Sequence, residues 1–144
     1  MDVQDCIKFA SENPLCYLAT ADGDQPRVRA ILLWFADENG FYFGTLSPKN
    51  MSKQMHLNPR VEICFFNNPK ELGDAKQMRL TGAMEFINDE ILQSKMLKDR
   101  EFLAQIVGRP LDDVTEIFRL ASGEAHFWTM ADVLKEPDLE RIKF

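Results

Sequence analysis

The segment Ser47-Pro48-Lys49-Asn50-Met51-Ser52-Lys53 combines residue types that suit an anion. Ser followed by Pro predicts a helix over residues 49–57, with Ser47 as N-cap and Pro48 opening the first turn. Free N–H groups at that terminus, the positive end of the dipole and two lysines four residues apart would together hold a phosphate. Thr45 adds a hydroxyl just upstream, and Arg27 and Arg29 lie on one face of a predicted strand. The same cations would also serve simply to solvate the surface of an acidic chain. A neighbouring apolar run, Ala30-Ile31-Leu32-Leu33-Trp34-Phe35, favours the ligand reading, because it puts a flat wall beside the charged end. A planar ring with a phosphate tail fits that combination.

Other chemistries find little support. His56 and His126 are the only histidines, and neither belongs to an HxxxH, HExxH or Cys/His ligand spacing, so no metal is expected. Cys6, Cys16 and Cys64 are odd in number and lack CxxC spacing, which predicts buried thiols in a reducing compartment. A Cys–His nucleophile pair would have to form in space, and nothing local supports one. GxSxG, GxxxxGKS/T and GxGxxG are all absent, which disfavours hydrolase, P-loop and dinucleotide-binding readings.

These residues must be positioned by a chain of 144 residues, expected to form a single domain over residues 1–144. With 17 Lys plus Arg against 23 Asp plus Glu, the formal net charge is -6. Such a surface repels phosphate backbones on average, so no nucleic-acid partner is expected. No apolar stretch approaches the roughly 20 residues of a spanning helix, and the N-terminus carries no basic signal region. A cytoplasmic protein is therefore expected.

Apolar spacing predicts a helix over residues 3–12, then strands over 16–21, 28–36 and 41–43, joined by Asp22-Gly23-Asp24 and Asp37-Glu38-Asn39-Gly40 turns. Further strands are expected over 61–66, 77–87 and 124–130. Gly82 sits inside one of them, where a bulge, a bend or a close approach is the usual reason. A long or broken helix is expected from Asp89 to about residue 108, a short helix over 112–118, and a polar, partly helical tail over 131–144. The fold class is mainly β with inserted helices, a small antiparallel barrel of five or six strands. The unbroken apolar run at 30–35 predicts a strand covered on both faces, one by the core and one by a helix, a flat cofactor or a second subunit. On that reading, charge placed at Leu33 or Trp34 would break the outer contact.

Pro26-Arg27-Val28-Arg29-Ala30-Ile31-Leu32-Leu33-Trp34, Phe43-Gly44-Thr45, residues 49–54 and Asn58-Pro59-Arg60-Val61 resemble the FMN-binding split barrel of the pyridoxamine 5'-phosphate oxidase family. Gln77-Met78-Arg79-Leu80-Thr81-Gly82 is similar to that family's Gln-Val-x-x-x-Gly strand, and Phe127-Trp128 to its late Phe-Trp. The resemblance implies a six-stranded antiparallel split β-barrel with FMN at the interface of a homodimer. It implies that Arg29 contacts the phosphate while Ala30, Ile31 and Leu32 line the isoalloxazine. Gly44 and Thr45 match the turn beside the phosphate and ribityl chain, Gln77 a glutamine that hydrogen-bonds the flavin, and Trp128 an aromatic near the ring.

The family's Arg-Lys phosphate pair falls at Asn50-Met51, so Lys49 and Lys53 would take its place, and Trp34 replaces a lysine. After Trp128 the chain lacks the arginine- and histidine-bearing segment that grips the vitamin phosphate in true oxidases. The resemblance is therefore to the short bacterial relatives of nitroimidazole-resistance or general-stress type. It implies an FMN-dependent oxidoreductase acting on a small molecule other than pyridoxamine phosphate. A non-catalytic redox-sensing flavoprotein, or a barrel holding a deazaflavin or haem, is the alternative.

Overall fold

Asp2 opens the fold with a reciprocal cap. Its carboxylate accepts from the Gln4 and Asp5 N–H groups, and the Asp5 carboxylate accepts from the Asp2 N–H. The helix that follows, α1 (Val3–Glu12), buries Cys6, Phe9 and Ala10. The computed structural model describes residues 1–144. The elements after α1 are β1 (Leu15–Asp22), β2 (Gln25–Leu32), β3 (Phe35–Asp37), β4 (Gly40–Leu46) and α2 (Asn50–Leu57). Then come β5 (Arg60–Phe66), β6 (Lys76–Ala83), β7 (Glu85–Ile87), α3 (Glu90–Asp99), α4 (Glu101–Val107), β8 (Thr115–Leu120), β9 (Gly123–Thr129) and β10 (Ile142–Lys143).

The strands form two antiparallel sheets, one ordered β10-β9-β6-β5-β1-β2 and one ordered β3-β4-β8-β7. They do not close into one cylinder. Leu18, Ile63, Phe65, Met78 and Leu80 from the first sheet join Phe41, Phe43, Phe118 and Leu120 from the second in one core. The Phe43 and Phe118 rings stack, with centroids 5.4 Å apart. Mainly β architecture with inserted helices is what the alternation of apolar residues predicts. No helix is long and apolar enough to cross a membrane.

Two expected strands each prove to be two. The run over 28–36 breaks after Leu32, where Leu33 turns into the core and the chain passes to the other sheet. The run over 77–87 breaks at buried Met84, which divides β6 from β7 in the same manner. Local alternation cannot reveal a change of sheet, because both strands of each pair keep a core-facing row. The helix expected over 112–118 is instead β8 from Thr115 onward. Cross-strand pairing with β4 and β7 overrides the helical spacing there. The tail holds short 3₁₀ turns and β10, whose Ile142 pairs with Ala125.

Gly82 owes its place to a close backbone approach. A Cβ there would lie 2.6 Å from the Ser122 carbonyl, and one at its cross-strand partner Gly123 would lie 2.0 Å from the Thr81 carbonyl. The three cysteines are free; burial pushes the Cys6 thiol up to about 11 and the Cys16 thiol up to about 12, so both stay unreactive near neutral pH.

Phe118 is fully buried where the two sheets meet. Phe118→Ala should cost about 3–5 kcal/mol, read as a lower midpoint in urea unfolding of the purified variant. A loss below about 1 kcal/mol would contradict this packing.

Candidate functional site

Arg29 projects from β2 on the face that carries α2, and three elements hold its guanidinium. Nη1 donates to Thr20 Oγ1 at 2.7 Å and to the Leu18 carbonyl at 3.3 Å, while Nη2 donates to Gln54 Oε1 at 2.6 Å. Thr20 and Gln54 are both buried, and Thr20 Oγ1 also donates to Gln54 Oε1 at 2.7 Å. Every one of these acceptors is neutral. Burial, and then the nearby Arg27 charge, draw the Arg29 pKa below the ordinary arginine value. It remains a cation at neutral pH. Two other partly buried arginines have carboxylates: Arg79 pairs with Glu62 and Glu136, and Arg119 with Glu85. Arg29 has none.

A groove of about 740 Å³ opens beside this guanidinium, lined by Arg27, Val28, Arg29, Ala30 and Ile31 of β2 and by Lys49, Asn50, Lys53 and Gln54 at α2. Arg27 is tied to Asp22 at 3.2 Å, whereas Lys49 and Lys53 make no ion pair. The helix does not begin as the Ser-Pro pair suggests. Lys49, with extended backbone, is the N-cap, and no side chain caps the terminus. Ser47 instead donates its N–H to the Val114 carbonyl, which holds it in the loop ahead of the helix. The first-turn N–H groups of α2 therefore stay free for a ligand, more so than a serine cap would leave them.

Thr45 is buried and its Oγ1 has no hydrogen-bond partner. Its cross-strand neighbour Glu116 accepts from Ser52 Oγ at 2.5 Å and contacts His56 Nε2 at 2.6 Å. Those contacts anchor α2 to β8 and place Thr45 on the α2 side of β4. Gly44 faces the other way, under α3, where a Cβ would lie 2.5 Å from Met96 Cε.

Gln77 and Trp128 are cross-strand partners on β6 and β9, away from the groove. Gln77 Oε1 accepts from Cys64 Sγ at 3.5 Å. The register Arg29–Leu18–Ile63–Leu80 puts Arg29 on the core side of the sheet, and Gln77 and Trp128 on the opposite face. β1 and β5 also intervene, so β2 and β6 stand about 14 Å apart at ordinary strand spacing. One chain thus brings together Arg27, Arg29, Ala30, Ile31, Lys49, Asn50 and Lys53, but not Gln77 or Trp128.

The outer face near β2 is apolar and open. Val28 is 70% exposed and Leu32 52%, with Leu15 and Tyr17 beside them on β1. Leu33 is buried in its own chain's core, and Trp34 donates Nε1–H to Asp99 Oδ2 at 2.9 Å under α3. The outward positions are therefore Val28 and Leu32, not Leu33 and Trp34. Thr20, Gln54 and Glu116 escape sequence reading altogether, since their roles arise only where β1, α2 and β8 meet.

The protein-family model described as pyridoxamine 5'-phosphate oxidase matches residues 3–129. A pyridoxine/pyridoxamine 5'-phosphate oxidase from Bordetella petrii is 35% identical over 74 residues, which are 51% of this chain and 33% of that protein. The chain thus spans about a third of the length of that curated relative. A NimC/NimA family protein from Clostridium acetobutylicum has a similar structure, with a TM-score of 0.75 and 25% identity, over 98% of this chain and 91% of that one. An FAD-binding protein from Mesorhizobium loti shares the fold, with a TM-score of 0.66 and 21% identity, over 88% of this chain and 94% of that one. By the extent of the family match, the chain belongs to the pyridoxamine 5'-phosphate oxidase family.

Proposed function

We propose that this chain is an FMN-binding flavoprotein that works as an oxidoreductase on a small molecule, as a homodimer with the flavin between subunits. The observation that carries the reading is Arg29, a half-buried cation held only by neutral groups beside an uncapped helix N-terminus. Desolvating a charge without a counter-charge is costly, and a phosphate in the groove would offset that cost. The residues fit such a group. Arg29, Lys49, Lys53 and the free N–H groups of α2 would hold the phosphate.

When bound, FMN would supply hydride and single-electron chemistry. The chain's own residues supply position and charge. Arg29 is pre-oriented by Thr20 and Gln54, so little side-chain freedom is lost on binding. The β2 backbone at Ala30 and Ile31 forms the adjoining wall. No histidine lines the groove, so it has no imidazole to place on a haem iron. The family match and the likeness to an FAD-binding protein support the flavin class.

A second copy of the chain completes the site on this reading. Gln77 and Trp128 reach a flavin at Arg29 only if a partner presents them. The exposed Val28, Leu32, Leu15 and Tyr17 face would be covered by the same two-fold contact.

Purified protein should carry a flavin absorption spectrum, with FMN as the ligand released for mass spectrometry. Riboflavin should bind roughly 100-fold more weakly than FMN, and Arg29→Met should weaken FMN by about 10- to 100-fold. Equal dissociation constants for FMN and riboflavin would remove the phosphate site. Light scattering should return a dimer, and Val28→Glu or Leu32→Glu a monomer with little flavin; a monomeric variant keeping full FMN affinity would place the whole site in one chain. Because the segment after Trp128 lacks the vitamin-phosphate grip, oxygen consumption with pyridoxamine 5'-phosphate should be negligible. A kcat/KM reaching about 10⁴ M⁻¹s⁻¹ would reverse that assignment.

A further inference from the structure

A second cavity lies on the other side of β4, between that strand and the α3–α4 pair. Its volume is about 200 Å³, larger than a dry packing defect and of the order that admits a benzene-sized guest. Gly44 and Leu46 form the floor, and Met96, Leu97, Leu103, Ala104 and Leu111 form most of the remaining wall. The absence of a side chain at Gly44 creates part of this space, with the flexible Met96 reaching over it. Thr45 and Thr115 and two cations, Lys49 and Arg100, complete the lining, and no Asp or Glu does. Neither cation is engaged in an ion pair.

The roof is lightly held. α4 buries no residue, α3 buries only Met96, and Arg100 ends one helix and begins the other. Trp34 ties down the C-terminal end of α3 through the Asp99 hydrogen bond, with Lys95 Nζ 5.6 Å from the indole. That leaves α4, around Leu103 and Ala104, as the part of the roof that can open for entry. Lys49 lines both this cavity and the Arg29 groove, so the two spaces meet at one side chain.

We infer that this cavity is a ligand pocket beside the phosphate end of the groove and that it takes a compact apolar carboxylate, aromatic or branched aliphatic. The apolar walls receive the hydrocarbon body, and Arg100 receives the carboxylate at the rim. A cationic ligand would meet two like charges, and a neutral one would leave Arg100 without a partner. That Lys49 serves a phosphate instead rests on the flavin reading; binding in this cavity does not.

The probe is benzoate, titrated calorimetrically into the purified full-length protein, with benzyl alcohol as the neutral isostere. Benzoate should bind saturably, and benzyl alcohol roughly tenfold or more weakly, the worth of one charge-assisted contact. Arg100→Gln should weaken benzoate by a similar factor, and Ala104→Phe should abolish its binding by filling the space. Flavin content of both variants, read by absorbance, should match wild type. No saturable benzoate heat, or an affinity untouched by Ala104→Phe and Arg100→Gln, overturns the pocket. A colourless protein that still binds benzoate at Arg100 would instead count against the flavin reading alone.

Discussion

The hydrogen bonds from Arg29 to Thr20, the Leu18 carbonyl and Gln54 connect β1, β2 and α2 through a charge that has no counter-charge within the chain. Neutral acceptors satisfy its donors without neutralising it, so the guanidinium is oriented but electrostatically unspent. This arrangement persists only if α2 cannot drift. Glu116 on β8 supplies that constraint by gripping Ser52 and His56, and the His56 ring stacks on Phe86 with centroids 3.7 Å apart. The groove wall therefore hangs between the two sheets, fixed to one through Gln54 and to the other through Glu116.

The division into two sheets follows from two buried residues at bends, Leu33 and Met84. Each carries the chain across the core, so that consecutive strands of one apolar run end up in different sheets. One consequence is that β2 becomes an edge strand. Its core-side row carries Arg27, Arg29 and Ile31, and its outer row carries Val28, Ala30 and Leu32. The cationic site and the uncovered apolar face are then the two sides of a single strand. A ligand and a second subunit would each add to what holds that strand in place.

An acidic chain keeps a basic groove by pairing its carboxylates with other cations. Glu62 and Glu136 take Arg79, Glu85 takes Arg119, Asp113 takes Arg109 and Asp22 takes Arg27. Net charge governs the far field, while the groove responds to charges within a Debye length or less. Asp22 lines the same space but is paired with Arg27, which leaves Lys49, Lys53 and Arg29 without an ion-pair partner. The net charge of -6 and a phosphate site are thus compatible.

Much of this protein could be read from local pattern. Alternating residues in 16–21 and 61–66 place β1 and β5, because a two-residue period survives in any half-buried strand. The cluster of Lys49, Lys53, Arg27 and Arg29 was visible because like charges at short spacing share a face whatever the fold. The start of α2 was not: Ser47 reads as a cap until its N–H is taken by Val114, a partner on a distant segment. β8 was hidden as well, since a six-residue strand between β4 and β7 derives its conformation from neighbours far along the chain. Only tertiary structure decided that Arg29 has neutral partners, that Leu33 points inward while Leu32 points out, and that Gln77 and Trp128 lie on the opposite face from Arg29. Each of these depends on which strands are neighbours. Pairing between residues far apart in sequence is a property of the closed sheet, and local composition does not encode it.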